Sequence, residues 1–125
     1  MNNLLAIAIG GILGCWARYG VSVGVQALVG KEFPYATLLI NVLGSFLMGF
    51  LFIVTLERTL DVSASLRLGI LVGGIGGFTT FSTFAMEALL LAEEGRIARA
   101  ITYVTLSVFL GLSAAFIGAA LGRRL

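Results

Sequence analysis

The sequence predicts an all-α membrane protein of four transmembrane helices, with a break in the third. Two observations carry the fold class. The 125 residues are 59% hydrophobic and only 11% charged, far from the roughly 25% charged residues of soluble domains. The apolar residues also fall into four long blocks, each close to the roughly 20 residues needed to cross hydrocarbon. A third observation, the segment GGIGGFTTFSTF at 73–84, predicts the break. The chain is short enough that one domain, residues 1–125, is expected.

The first span is expected at about Leu4–Val29. Its ILGC stretch, ending at Cys15, resembles a lipoprotein cleavage box, but no Lys or Arg precedes Arg18. A signal peptide needs a positive region before its apolar core, so a retained helix is expected. The second span is expected at Tyr35–Leu56, just after the only proline, Pro34, which suits a helix start. The third runs over about Leu66–Ala92 and the fourth over about Ile97–Leu121. The connections GKEF, ERTLDVSAS and EEGR hold most of the charges. Helices are the only spanning structure that pairs its backbone within each segment. Small residues four apart, at Gly10/Gly14, Gly20/Gly24, Gly69/Gly73 and Gly118/Gly122, let helix backbones approach closely.

Several function classes drop out. There is no histidine and a single cysteine, so Ser-His and Cys-His catalysis is excluded and a Cys/His metal site is not expected. A net charge of +2 without a basic cluster gives no basis for nucleic-acid binding. The chain does not read as an enzyme. Topology is not fixed by charge. With four spans, one face carries Arg58, Arg67, Arg123 and Arg124, the other Lys31, Arg96 and Arg99. Positive residues set orientation only when one side has an excess. Four against three leaves two readings: one weakly biased orientation, or insertion both ways and pairing with an inverted copy.

Polar residues at membrane depth are costly and point to function. Arg18 lies in the second half of the first span with no acid in that span. It either snorkels to the interface or offers a cation near the mouth of an anion path. Asn41 lies about two turns into the second span. Its amide can bridge helices or donate to a passing solute. Glu87 is the carboxylate nearest the interior, expected at a wet vestibule. A proton-driven exporter usually needs a buried carboxylate, and none is obvious here.

The third span holds the densest signal. Gly73, Gly74, Gly76 and Gly77 weaken the helix, and Thr79, Thr80, Ser82 and Thr83 follow at once. Irregular backbone survives at this depth only if it is buried in protein or lines a polar cavity, and broken helices often present backbone ends to ions. Phe78, Phe81 and Phe84 recur every third residue among these hydroxyls. An aromatic ring has a positive edge, so it can attract an anion weakly enough to let it leave. In the fourth span Tyr103 and Ser107 are four apart, on one helix face, where they either extend a polar path or bond neighbouring helices.

With these residues in view, the chain resembles the Fluc/CrcB fluoride channels over essentially its whole length. The resemblance rests on GGIGGFTTFSTF (73–84), NVLGSFLMG (41–49) and GGILGCWARYG (10–20). It implies a passive channel that lets fluoride leave the cytoplasm, in a bacterial inner membrane. It implies an antiparallel, dual-topology homodimer with two pores lined by both subunits. Carried over by motif, Asn41 would donate to fluoride, and Phe81 and Phe84 would present ring edges. Ser82, Thr83, Tyr103 and Ser107 would form a polar track, with Arg18 near the vestibule. A structural Na⁺ would sit at the dimer centre on backbone carbonyls, assigned to Gly76 and Thr79. Phe78 falls outside the paired phenylalanines and reads as packing. Two rival readings are a small proton-coupled multidrug antiporter and a structural subunit of a membrane complex.

Overall fold

The computed structural model describes residues 2–57 and 61–125 and is helical nearly throughout. Helix α1 spans Asn3–Val29 and α2 spans Tyr35–Leu56. The third span is composite: α3 (Ala64–Leu68), a π-helical stretch Gly69–Ile75, α4 (Gly76–Phe78), and then α5 (Phe81–Glu93). Helix α6 spans Ile97–Arg124. Four segments are long and apolar enough to cross a membrane, the third being Ala64–Glu93 taken as a whole. The chain is therefore a multi-pass membrane protein. Its span limits match the sequence reading within a few residues.

Local chemistry sets the ends. Asn2 caps α1, its side-chain oxygen accepting from the Leu4 N–H at 2.9 Å. Ser63 does the same for α3 through the Leu66 N–H at 3.2 Å. These caps satisfy amides that have no partner in the first helical turn. Gly30 closes α1 at φ 79°, and Gly95 turns the chain between α5 and α6 at φ 78°. Both need the left-handed region that only glycine enters freely. Pro34 stands at the cap of α2, just ahead of its first turn.

Two glycine seams hold the bundle. Along the first, α1 lies against the third span. A Cβ added at Gly10 would overlap the Gly69 carbonyl oxygen, and one at Gly14 would overlap that of Gly74. Gly73 makes the reciprocal approach to Ile7 and Gly11. The second seam joins α2 and α6. Gly49 abuts the Ala115 carbonyl and Gly118 abuts that of Phe46. Lipid tails give helices no hydrophobic reason to associate, so such close backbone packing is the main attraction. Gly20 and Gly24 behave differently, since among the described residues nothing lies within 4 Å of a Cβ built at either.

The run of glycines in the third span is thus not the break. Gly73 and Gly74 lie in the π-helical stretch, and Gly76 and Gly77 are helical as well. The helix fails two residues beyond the glycines. Thr79 (φ −81°, ψ 159°) and Thr80 (φ −153°, ψ 114°) are extended. Glycine was expected to weaken the helix. Its part is instead to let α1 come close enough to hold it.

Candidate ion pathway at the break in the third span

The break is tied down from α2. The Thr80 N–H donates to Asn41 Oδ1 at 2.8 Å, and Asn41 Nδ2 donates to the Thr80 carbonyl at 3.0 Å. A primary amide suits this exchange, because it offers an acceptor and two N–H donors. One N–H goes to Thr80, which leaves the second for another acceptor. Asn41 is itself steadied on α2, where Ser45 Oγ donates to its carbonyl at 2.7 Å. The hydroxyl of Thr80 then starts α5, accepting from the Thr83 N–H at 3.3 Å.

Around this joint lies a cavity of about 400 Å³, whose lining includes Asn41, Thr79, Thr80, Phe81, Phe84 and Ser107. The lining thus combines an amide, hydroxyls and aromatic rings, groups that can take the place of water around a small anion. Phe81 is 79% exposed on this protomer. Its ring lies 5.5 Å from that of Phe84, tilted by 52°. Phe84 in turn stacks on Tyr103 with ring centres 5.2 Å apart. So three aromatic rings run in file from the surface to the core.

Tyr103 is 0% exposed. Among the described residues its hydroxyl has no hydrogen-bond partner, and neither has the Ser107 hydroxyl. Thr37 lies near the Tyr103 hydroxyl but outside hydrogen-bond geometry. Thr37 instead donates to Glu87 Oε1 at 2.5 Å. Both residues line a further cavity of about 230 Å³ at the mouth between α1 and α2, with Lys31 and Arg96. Glu87 therefore lines a cavity that other charged side chains share. Two buried hydroxyls without partners are costly in a dry interior. Ser107 lines the cavity beside Asn41, where a solute that accepts a hydrogen bond would satisfy its hydroxyl, whereas Tyr103 stands behind Phe84 and does not line it.

Not every residue expected at the path meets in this one cavity. Arg18 and Thr83 line a separate cleft of about 250 Å³, with Cys15, Ser22 and Thr37. Arg18 contacts Cys15 Sγ at 3.6 Å and forms no ion pair among the described residues. Ser82 is exposed on the face of α5 that the protomer leaves open. Phe78 is 8% exposed, which fits packing. Of the residues named for topology, Arg58 lies outside the described residues.

Gly76 and Thr79 sit at the end of the helix that precedes the break. The Thr80 N–H, which would extend that helix onto the Gly76 carbonyl, is turned to Asn41. Carbonyls of a last helical turn lack intrahelical partners. They are hard oxygen donors of the kind that hold alkali and alkaline-earth cations. Among the described residues no cluster of three His, Cys, Asp or Glu side chains could hold a metal instead.

Sequence reasoning missed Thr37, and it named Thr80 only as one hydroxyl of the run after the glycines, without its tie to Asn41. Both carried a signal. Thr37, Asn41 and Ser45 are spaced by four along α2, so they share one face. Thr80 stands inside the hydroxyl run, but its pairing with α2 spans 39 residues and no local pattern encodes that.

A multi-pass protein whose amide, hydroxyl and aromatic groups converge on the break in a spanning helix has the make-up of a membrane protein with a candidate solute path. Comparison with known proteins is consistent with that class. Residues 5–119 match the family described as CrcB-like protein, Camphor Resistance (CrcB), and the chain belongs to that family. It is 56% identical over 113 residues to a fluoride-specific ion channel FluC of Acidithiobacillus ferrooxidans, covering 90% of each chain. It is 46% identical to the protein of that name from Geobacter sulfurreducens, over the whole of both chains. For a Thermus thermophilus protein of the same name the identity is 45%, over all of this chain and 98% of the other.

Proposed function

We propose that this chain is a fluoride-selective passive channel and not an enzyme. The observation that carries the reading is the cavity at the break, where Asn41, Phe81, Phe84 and Ser107 meet and the Ser107 hydroxyl is buried without a partner. Fluoride is small and strongly hydrated, so it enters only where many donors replace its water. The free N–H of Asn41 and the hydroxyls of Ser107 and Tyr103 supply donors. The edges of Phe81 and Phe84 attract weakly and exclude water, which lets the ion leave. Ser82 and Thr83 continue the polar track on the open face, and Arg18 raises the potential at its mouth. Fluoride leaves the cytoplasm down its own gradient, across a bacterial inner membrane.

The open face calls for a second copy. Phe81, Ser82 and Thr83 are exposed at membrane depth, where a polar face left to lipid is costly. An inverted copy covers it and lines two pores with residues of both subunits, in keeping with the near balance of charge. Na⁺ fits the carbonyls of Gly76 and Thr79 at the dimer centre. When bound it supplies a fixed positive charge between the subunits. The whole chain, 1–125, then acts as one transmembrane domain.

Fluoride efflux from liposomes holding only this protein tests the reading. Efflux is expected without any proton gradient, and with chloride carried far more slowly. Efflux that requires a proton gradient revives the antiporter reading. No conductance from a stable purified assembly revives the subunit reading.

A further inference from the structure

Thr80 is held at three points. Asn41 takes its N–H at 2.8 Å and gives to its carbonyl at 3.0 Å, while its hydroxyl meets Thr83 Oγ1 at 3.0 Å and accepts from the Thr83 N–H at 3.3 Å. It is 8% exposed. It also forms part of the wall of both the Asn41–Ser107 cavity and the Arg18–Thr83 cleft. No other threonine of the segment lines both.

Phe81 and Phe84 lie in the first turn of α5, immediately after Thr80. The amides of a first turn have no helical partner, and the Thr80 hydroxyl caps one of them. A first turn that loses its cap frays, and the rings it carries lose their fixed direction. Successive residues differ by about 100° around the axis, so a slip of one residue turns a ring edge away from the cavity.

We propose that Thr80 is a positioning residue of the anion path. The Asn41 amide fixes its backbone, and its hydroxyl fixes the first turn of α5, so that the edges of Phe81 and Phe84 face the cavity. Thr80 itself is not an ion ligand. The inference rests on the fluoride-channel reading.

Two matched pairs of variants test it. Threonine and valine share a shape and differ in the hydroxyl; serine and alanine are both small and differ in the same way. Thr80→Ser, Thr80→Val and Thr80→Ala are compared with the unaltered protein for fluoride efflux per folded dimer. In parallel, the fluorine NMR resonance of a fluorophenylalanine placed at position 84 reports ring position. With the hydroxyl decisive, Thr80→Ser keeps efflux within about twofold and keeps the ring resonance. Thr80→Val and Thr80→Ala lose efflux on the order of tenfold, the scale of a lost cap, and both shift the resonance. Either pair suffices should one variant not assemble. Efflux that follows side-chain size, with Thr80→Val intact and Thr80→Ser impaired, overturns the proposal. So does a resonance unmoved in Thr80→Ala, or a variant that melts lower but conducts fully. Should the unaltered protein carry no fluoride, the channel reading falls, and the resonances alone still decide the positioning claim.

Discussion

Replacing Tyr103 by Phe should make the protein more stable and a poorer conductor at once. The Tyr103 hydroxyl is wholly buried without a partner among the described residues. A desolvated polar group left unpaired costs about 1–3 kcal/mol. Tyr103→Phe removes that cost and keeps the ring that stacks on Phe84 at 5.2 Å and meets Phe33 at 5.6 Å. Stability should rise by about 1 kcal/mol or more, which moves a melting temperature upward by a few degrees. The effect on fluoride runs the other way. A hydrogen bond to a charged group contributes about 1.5–3 kcal/mol, so efflux at low fluoride should fall roughly 10- to 100-fold. The assays are thermal unfolding in detergent and efflux from liposomes, each normalised to folded protein. A variant that melts lower and conducts fully refutes the reasoning, because it shows a hydroxyl satisfied within the assembly.

Phe81→Ile and Phe84→Ile should cut efflux steeply with the assembly intact, since the swap removes the positive ring edge. Buried Phe78 is the control, and Phe78→Ile should cost about 1–2 kcal/mol of stability and leave efflux per folded protein unchanged. Gly10→Ala drives a methyl into the Gly69 carbonyl and should cost at least about 1–3 kcal/mol, whereas Gly24→Ala has open space and should gain several tenths of a kcal/mol or more; denaturant or thermal unfolding reads both. Exchange of Na⁺ for a large organic cation throughout purification should loosen the dimer or lower efflux, and indifference to every alkali cation counts against the Gly76–Thr79 site. Reporters fused to the C-terminus should appear on both faces of the membrane, and a single face contradicts paired inverted copies.

The spans were legible because their signal is additive: twenty apolar residues outweigh any local preference. The position of the break was not. Glycines at 73, 74, 76 and 77 weaken a helix by propensity, yet all four are helical, with α1 packed against the bare backbone of Gly73, Gly74 and Gly77. The chain departs from the helix at Thr79 and Thr80, where α2 supplies an amide that competes for the backbone. That competition depends on a residue 39 positions away. Helical spacing put Tyr103 and Ser107 on one face, but only packing reveals that both hydroxyls are buried without partners. Arg18 and Thr83 read as part of one path with Asn41. The two groups are divided by the thickness of the broken segment, which one-dimensional spacing does not contain.

The two glycine seams also dictate an order of assembly. Helix α1 closes against the third span, and α2 closes against α6. The partners are interleaved, so neither pair of consecutive helices completes a seam of its own. As the chain emerges from the ribosome, α1 waits through all of α2 and the following loop for its match. Helix α2 waits still longer, until the last span is released. A chain halted after two spans therefore has both glycine faces without their matches, and one halted after three has completed only the seam of α1.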